Sequence, residues 1–202
     1  KAGISLTTLG FGTGNYNEHL MEQLADAGDG NYSYIDNPNE AKKVLQRQLS
    51  STLATVAQDV KIQVEFNPAT VKEYRLVGYE NRLLKQEDFN NDNVDAGDIG
   101  AGHSVTALYE IIPAGQPGWL GESRYRPAAP AADSKAGEYA HVNLRYKLPG
   151  KSSSILISQP VAASSKPLAQ ANADTRFAIA VAAYGQQLRG GQYNGKMGWN
   201  DI

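Results

Sequence analysis

The sequence predicts an α+β chain in which a short α/β segment precedes a region of antiparallel strands. Over residues 1–57, short apolar runs alternate with helical patterns. From Asp59 onward, apolar residues recur at every second position, which is the period of a half-buried strand. Apolar residues return to helical spacing at about 174–189, which predicts a C-terminal helix.

The first segment contains two predicted strands, over residues 4–11 and 31–36, and each is followed by a helical pattern. A β-α-β-α order is typical of parallel strands joined by right-handed crossovers. The first helix is predicted to end at Gly28, and the second is predicted to extend to Val56. The capping residues predicted to begin the two helices are Asn15 and Asn37.

Residues 58–202 form the second predicted domain, a β-sandwich-like region. In its first strand, Val60, Ile62, Val64 and Phe66 are predicted to face the core, and Lys61, Gln63 and Glu65 to face solvent. Further strands are predicted over 71–79, 103–112, 142–148 and 154–161, with a long loop over 113–137. The C-terminal helix is predicted to bury one apolar face, formed by Phe177, Val181, Tyr184 and Leu188.

Composition excludes several classes of function. The net charge is −2, so the chain has no bulk electrostatic reason to bind nucleic acid or an anionic membrane. There are no cysteines, which excludes disulfides and thiolate chemistry. No apolar run is long enough to span a membrane, and no targeting signal is visible. Because the sequence opens at Lys1 without Met, we expect an internal fragment of a longer protein.

The run GISLTTLGFG, followed by NYNEHLMEQLADAGDGNYSYID, resembles the last two strand–helix units of a von Willebrand factor type A domain. Later segments are similar to the C-terminal region of a bacterial family that carries this domain. These segments are DVKIQVEFNPATVKEYRLVGYENRLL, DFNNDNVDAGDIGAGHSVTALYEI, LRYKLP and TRFAIAVAAYGQQLRGGQY. The resemblance implies the end of a doubly wound α/β domain over 1–57, and a C-terminal region of unknown function over 58–202.

The resemblance also implies export to the cell envelope or periplasm, since such bacterial proteins are usually exported, many as lipoproteins, and the type A domain itself implies a role in adhesion. Type A domains bind a divalent cation through an Asp-x-Ser-x-Ser loop and two further loops. That motif does not occur in this sequence, and all three loops would lie upstream of Lys1. No metal ligand of the family can therefore be assigned to this chain.

An acidic loop over residues 87–98 is the main candidate for a cation site. It carries five carboxylates, and no Lys or Arg lies between Gln86 and His103. Oxygen ligands of this kind suit Ca²⁺, but the spacing fails the EF-hand pattern, so a solvent-exposed, turn-rich loop without metal is predicted. The calcium alternative would use Asp88, Asp92, Asp95 and Asp98.

No catalytic or cofactor-binding residue is predicted. The three histidines, His19, His103 and His141, are scattered and share no metal-binding spacing. The turn at residues 10–14 lacks the fingerprint of a dinucleotide-binding or phosphate-binding loop, and no Gly-x-Ser-x-Gly motif occurs. Arg124 and Arg126, which flank Tyr125, are interpreted as residues of a solvated loop.

These observations favour a non-catalytic protein-interaction or scaffold module. The alternatives are a hydrolase with an unrecognised site and a calcium-stabilised binding module that uses loop 87–98. The expected partner is a protein, or the missing N-terminal half of the same protein. In an isolated half-domain, Ile4, Leu6 and Leu9 would leave an exposed apolar edge. Neighbouring copies of the chain are therefore also expected to cover this edge.

Overall fold

A computed structural model describes residues 5–12, 14, 16–47, 54–78, 83–121, 135–191, 195 and 198–201. Its strands are β1 (Thr8–Phe11), β2 (Tyr32–Ile35), β3 (Thr55–Phe66), β4 (Val71–Val77), β5 (Gly97–Gly100), β6 (Leu108–Pro113), β7 (Glu138–Lys147) and β8 (Ser154–Ala162). Its helices are α1 (Glu18–Ala27), α2 (Pro38–Lys42) and α3 (Ala173–Leu188). Short 3₁₀ turns cover Gln86–Asp88, Leu168–Gln170 and Trp199–Asp201.

The first two strands pair in parallel, in register from Thr8 opposite Tyr32 to Phe11 opposite Ile35. The parallel pairing predicted from the β-α-β order is therefore confirmed. The N-cap of α1 is Asn17, whose side chain accepts a hydrogen bond from the backbone N–H of Leu20. The predicted cap, Asn15, lies outside the described residues.

Helix α2 begins as predicted, because Asn37 caps the backbone N–H groups of Asn39 and Glu40. Its helical path continues as a π-turn over Lys43–Arg47. The predicted extension of the helix to Val56 is wrong, since β3 begins at Thr55 and pairs with Gly100 of β5. Two β-branched residues start this strand, and they fit a pleated strand better than a helix interior.

Four strands form one sheet in the order β5-β3-β7-β8, and β4 and β6 form a separate two-stranded ribbon. The β3–β5 and β4–β6 pairs are both antiparallel, so the chain is a mixed α/β protein with several sheets. Strand β5 was not predicted, because its sequence Gly97-Asp98-Ile99-Gly100 resembles a continuation of the acidic turn. The predicted strand 103–112 is regular only from Leu108.

The chain divides into two compact units, and both are discontinuous in sequence. The first comprises residues 1–63, 84–104 and 143–158, and the second comprises 64–83, 105–142 and 159–202. The buried apolar side chains among the described residues are Ala25, Ile35 and Phe89 in the first unit and Val71, Ala140 and Ala183 in the second. The domain boundary predicted at residues 57 and 58 stays a prediction.

Part of the predicted loop 113–137 lies outside the described residues, namely 122–134. Pro113 ends β6, and residues 114–121 and 135–137 form turns and irregular backbone. The predicted C-terminal helix of about 174–189 is confirmed as α3. Within the described part of the chain, no helix is long and apolar enough to cross a membrane.

Candidate functional site

Within the first unit, cations from strands distant in sequence bond to the acidic loop 87–98. Lys61 of β3 is only 3% exposed. Its Nζ donates hydrogen bonds to the backbone carbonyls of Asp88 at 3.3 Å and Asn91 at 2.5 Å. Carbonyl acceptors therefore replace the water that this buried ammonium would otherwise need.

This contact overturns the predicted alternation of β3 at two positions. Lys61 was predicted to face solvent and Ile62 to face the core, but Lys61 is buried and Ile62 is 49% exposed. The acidic loop covers the polar side of the strand. The register of β3 against β5 shifts between Thr55 and Ala57 and again between Ala57 and Val60, where Asp59 forms a β-bulge. A single bulge is enough to change which neighbours each strand face meets.

Asp59 fixes this bulge through both its backbone and its side chain. Its φ is 51°, in the left-handed region that Asp tolerates better than most residues. Its N–H donates to Asp98 Oδ1 at 3.2 Å, and its own Oδ1 accepts from the N–H of Ala96 at 3.2 Å. Lys147 Nζ donates to Asp59 Oδ2 at 2.7 Å. The bulge and the end of the loop are therefore bonded reciprocally.

Asp92 ties the middle of the loop to strands β7 and β8. Its Oδ1 lies 3.2 Å from Arg145 Nη1, and its Oδ2 accepts from the backbone N–H of Ser154 at 3.3 Å. Its carbonyl oxygen accepts from Lys147 Nζ at 2.6 Å. Lys147 therefore bridges the Asp59 carboxylate and the loop backbone.

These contacts shift the pKa values of Asp59 on β3 and of Asp92 and Asp98 in the loop in different directions. Burial alone would raise the pKa of Asp59, but hydrogen bonds from Lys147 and the Ala96 N–H outweigh it and lower that pKa. Hydrogen bonds from Ser154, and then Arg145, lower the pKa of Asp92. Burial dominates at Asp98 and raises its pKa.

The four calcium candidates are thus dispersed among partners within the protein. The carboxylates of Asp92 and Asp98 accept hydrogen bonds from this chain, whereas Asp88 contributes its backbone carbonyl to Lys61. Asp95 is exposed. In the part of the chain that the structure describes, no group of three or more His, Asp or Glu side chains is arranged to hold a metal ion. The prediction that the whole loop is solvent-exposed is wrong, because Phe89 at its start is 5% exposed.

A second polar cluster, in the other unit, was not predicted from the sequence. Glu73 of β4 is 6% exposed, and its Oε2 accepts hydrogen bonds from the backbone N–H groups of Trp119 at 2.7 Å and Leu120 at 3.2 Å. Arg75 lies over the Trp119 ring, 5.8 Å from its centroid, and Arg75 Nε is 2.5 Å from Glu110 Oε2. The cluster anchors the irregular segment 117–121 to the β4–β6 ribbon.

The outer face of α3 carries the two aromatic side chains of that helix together with Val181 and Leu188. The prediction that this face packs into the core is wrong: its residues are exposed, at 72% for Phe177, 53% for Val181, 50% for Tyr184 and 64% for Leu188. The inner face instead carries Ala183, which is buried, and Ile179, which is half-buried. Trp199 packs edge-on against Tyr184, with ring centroids 5.8 Å apart, and extends this apolar surface.

Other apolar side chains are exposed in the first unit. Ile155, Leu156 and Ile157 of β8 are each 41–51% exposed, on an edge strand of the four-stranded sheet. Leu6 is 51% exposed, as expected for an apolar edge, whereas Leu9 is half-buried and Ile4 lies outside the described residues. Exposed apolar patches of this kind are typical of protein-interaction surfaces.

The remaining candidate residues are three histidines, a glycine-rich turn and residues 124–126. His19 and His103 are exposed, and His141 is half-buried in β7. Gly12 of the glycine-rich turn adopts a φ of 84°, as a tight strand-to-helix turn requires. Arg124, Tyr125 and Arg126 lie outside the described residues.

The fold and its surfaces define a mixed α/β protein, in which a parallel β-α-β unit precedes antiparallel strands and an apolar helix face lies open to solvent. The family described as "Uncharacterized protein YfbK, C-terminal" matches residues 51–202, and the chain belongs to this family. The predicted resemblance to the C-terminal region of a bacterial family is thereby confirmed.

The chain is 48% identical over 203 residues to "Uncharacterized protein YfbK" of Escherichia coli (strain K12). That match covers 100% of this chain but 35% of the relative, so the chain spans about a third of the relative's length. Among solved structures, the crystal structure of the ArnB paralog VWA2 from Sulfolobus acidocaldarius is similar with a TM-score of 0.39 and 17% identity. The match covers 92% of this chain and 40% of the chain in that crystal structure.

Proposed function

We propose that this chain is a non-catalytic protein-interaction module of a bacterial protein, and that the outer face of α3 is its contact surface. The observation that carries the proposal is the exposure of Phe177, Val181, Tyr184 and Leu188 on one side of a 16-residue helix. Leaving large apolar side chains in water forgoes about 1.5–3 kcal/mol for each one that could be fully buried. A partner that covers this face recovers part of that free energy.

Two features support a binding role over an enzymatic one. In the acidic loop, the Asp92 carboxylate accepts from Arg145 and the Ser154 N–H, and the Asp98 carboxylate accepts from the Asp59 N–H, which suits structural anchoring. The three histidines lie on separate elements, His19 on α1, His103 between β5 and β6, and His141 on β7. The alternative of a hydrolase with an unrecognised site would require a catalytic constellation built from other residues.

We also propose how the sheets are arranged and where the protein is located in the cell. The four-stranded sheet and the β4–β6 ribbon are proposed to form the two layers of a β-sandwich-like region. The cell envelope or periplasm is the proposed location, with a role in adhesion or in the scaffold of a lipoprotein. The proposed partners are another protein or the remaining part of the longer polypeptide that relatives contain.

Chemical labelling tests the contact surface directly, because the chain has no cysteine. A Val181→Cys variant carries one thiol on the outer face of α3, and a Ser164→Cys variant carries one at an exposed polar position. We expect a maleimide to alkylate both thiols rapidly in the dilute purified chain. In cells of the bacterium that makes the protein, we expect alkylation at position 181 to be much slower and alkylation at 164 to be unchanged. Equal rates at position 181 in both settings would contradict the proposal.

A further inference from the structure

The apolar face of α3 has a spacing that is the same in both directions along the helix. Its four members, at positions 177, 181, 184 and 188, are separated by four, three and four residues. When two copies of such a helix lie antiparallel, Phe177 of one copy meets Leu188 of the other, and Val181 meets Tyr184. Each apolar side chain then finds an apolar partner, as a two-fold interface between identical surfaces requires.

The charges beside this face agree with the same arrangement. At about 100° per residue, Asp174 lies about 50° from the centre of the apolar face, and Arg189 lies about 110° away on the same side. In an antiparallel pair, the two-fold axis is perpendicular to both helices. A residue on one side of its helix therefore lies on the same side of the pair in both copies. Asp174 of one copy and Arg189 of the other therefore come to the same end and the same side, offset by two residues, or about 3 Å. Two complementary charge pairs, one at each end, result.

The remaining arginine of the helix does not oppose this pairing. Arg176 lies at the same level as Arg189 of the other copy, but about 110° from the apolar face on its other side. The body of the helix pair separates these two cations. A parallel arrangement, in contrast, would keep Asp174 of one copy and Arg189 of the other 15 residues apart along the helix pair, about 22 Å, and would form neither charge pair.

We propose that α3 pairs antiparallel with α3 of a second copy of this chain, through Phe177, Val181, Tyr184 and Leu188. This inference rests on the proposed function, because it names the partner of the same surface. The exposed parts of the four side chains amount to on the order of 400 Å² per copy, which is at the low end of specific interfaces. The pair is therefore a weak, concentration-dependent dimer.

Sedimentation velocity over a concentration series, with charge-swap variants, tests the arrangement. We expect Asp174→Arg and Arg189→Asp each to raise the dimer dissociation constant about fivefold or more, because each places like charges together. The double variant restores both pairs with reversed polarity and should recover most of the affinity. Arg176→Asp is the matched control and should leave the dissociation constant nearly unchanged. A chain that stays monomeric up to about 1 mM, or a dimer that is insensitive to the swap, would overturn the inference.

Cysteine mixing tests the register with variants that leave the charges intact. Under oxidation, a mixture of Val181→Cys and Tyr184→Cys chains should form the mixed disulfide in preference to either symmetric one. Preferential symmetric disulfides would indicate a parallel pair and overturn the inference. If the chain is monomeric yet position 181 is protected in cells, the second copy is the wrong partner and the proposed function stands. If the chain is monomeric and position 181 is unprotected in cells, both the antiparallel dimer and the proposed function are wrong.

Discussion

Lys147 Nζ lies 2.7 Å from Asp59 Oδ2 and 2.6 Å from the carbonyl oxygen of Asp92, so one ammonium joins the β3 bulge to the acidic loop. The Lys147 and Asp59 side chains are 13% and 20% exposed. An ion pair this far removed from water is strongly destabilising to break, because the remaining charge stays buried. The cations of β3 and β7 thus turn a cluster of like charges into a fixed structural element.

Replacing Lys147 by methionine should destabilise the fold by about 2–3 kcal/mol, since Asp59 loses its cation while it stays partly buried. Urea unfolding measures the change as a lower midpoint with an unchanged slope. Lys151→Met is the control, because Lys151 is exposed in the turn between β7 and β8, and its replacement should change stability by less than about 0.5 kcal/mol. Equal midpoints for the two variants would refute the clamp.

The same contacts predict a loss of stability in acid. The pKa values of Asp59 and Asp92 are lowered in the folded state, so the stabilisation from their charged forms is fully present above the unfolded-state pKa of about 4. It is lost as the pH falls through the folded-state pKa values. The contribution of Asp98 to stability changes with pH in the opposite direction. Its pKa is raised, so its protonation in acid relieves the cost of burying its charge.

An Asp92→Asn variant therefore separates this effect from general acid denaturation. It should be less stable than wild type at pH 6, and the difference should shrink as the pH falls from about 4 to 3. Free energies of unfolding at several pH values give the comparison. Glu87→Gln, an exposed position on the same loop, should follow the wild-type curve at every pH. A constant difference between Asp92→Asn and wild type would contradict the lowered pKa of Asp92.

Calcium should not stabilise the chain through the acidic loop. The Asp92 carboxylate already accepts from Arg145 and Ser154, and the Asp98 carboxylate accepts from the Asp59 N–H. We expect the melting temperature to be the same with and without millimolar Ca²⁺. A rise that follows RT ln(1 + [L]/Kd) and disappears in Asp92→Ala and Asp95→Ala would establish the calcium-stabilised alternative.

The Glu73 anchor makes a prediction about segment 117–121. Glu73→Ala leaves two backbone N–H groups without their acceptor and should cost about 2 kcal/mol, and Glu73→Gln, which keeps one acceptor oxygen, should cost less. A Cβ added to Gly118 would overlap the Glu73 carboxylate, so Gly118→Ala should also destabilise and shift the Trp119 fluorescence. The matched control is Gly121→Ala, where an added Cβ meets no atom within 4 Å. Equal effects at both glycines would contradict the anchor.

Local sequence signals predicted several of the elements. The Asn37-Pro38 start of α2, the parallel β1–β2 pair and the extent of α3 follow from capping residues and apolar periodicity. Such signals depend on neighbours in the sequence, and they predict the kind of element more reliably than its surroundings.

The residues that pack against each element were harder to predict, because they are distant from it in the sequence. The burial of Lys61 depends on carbonyls from Asp88 and Asn91, about 30 residues away, and the Asp59 bulge shifts the register of the strand. An apolar face on α3 indicates that something covers it, but the pattern does not distinguish the protein's own core from a partner.

Paramagnetic relaxation of methyl groups measures most directly whether α3 presents its apolar face to solvent. With a soluble gadolinium chelate, and at concentrations below self-association, we predict strong broadening of the Val181 and Leu188 methyl signals and weak broadening of the Ala183 signal. Those residues are 53%, 64% and 9% exposed. The reverse pattern, with Val181 and Leu188 protected and Ala183 broadened, would show that the apolar face packs into the protein's own core and would contradict the interaction module.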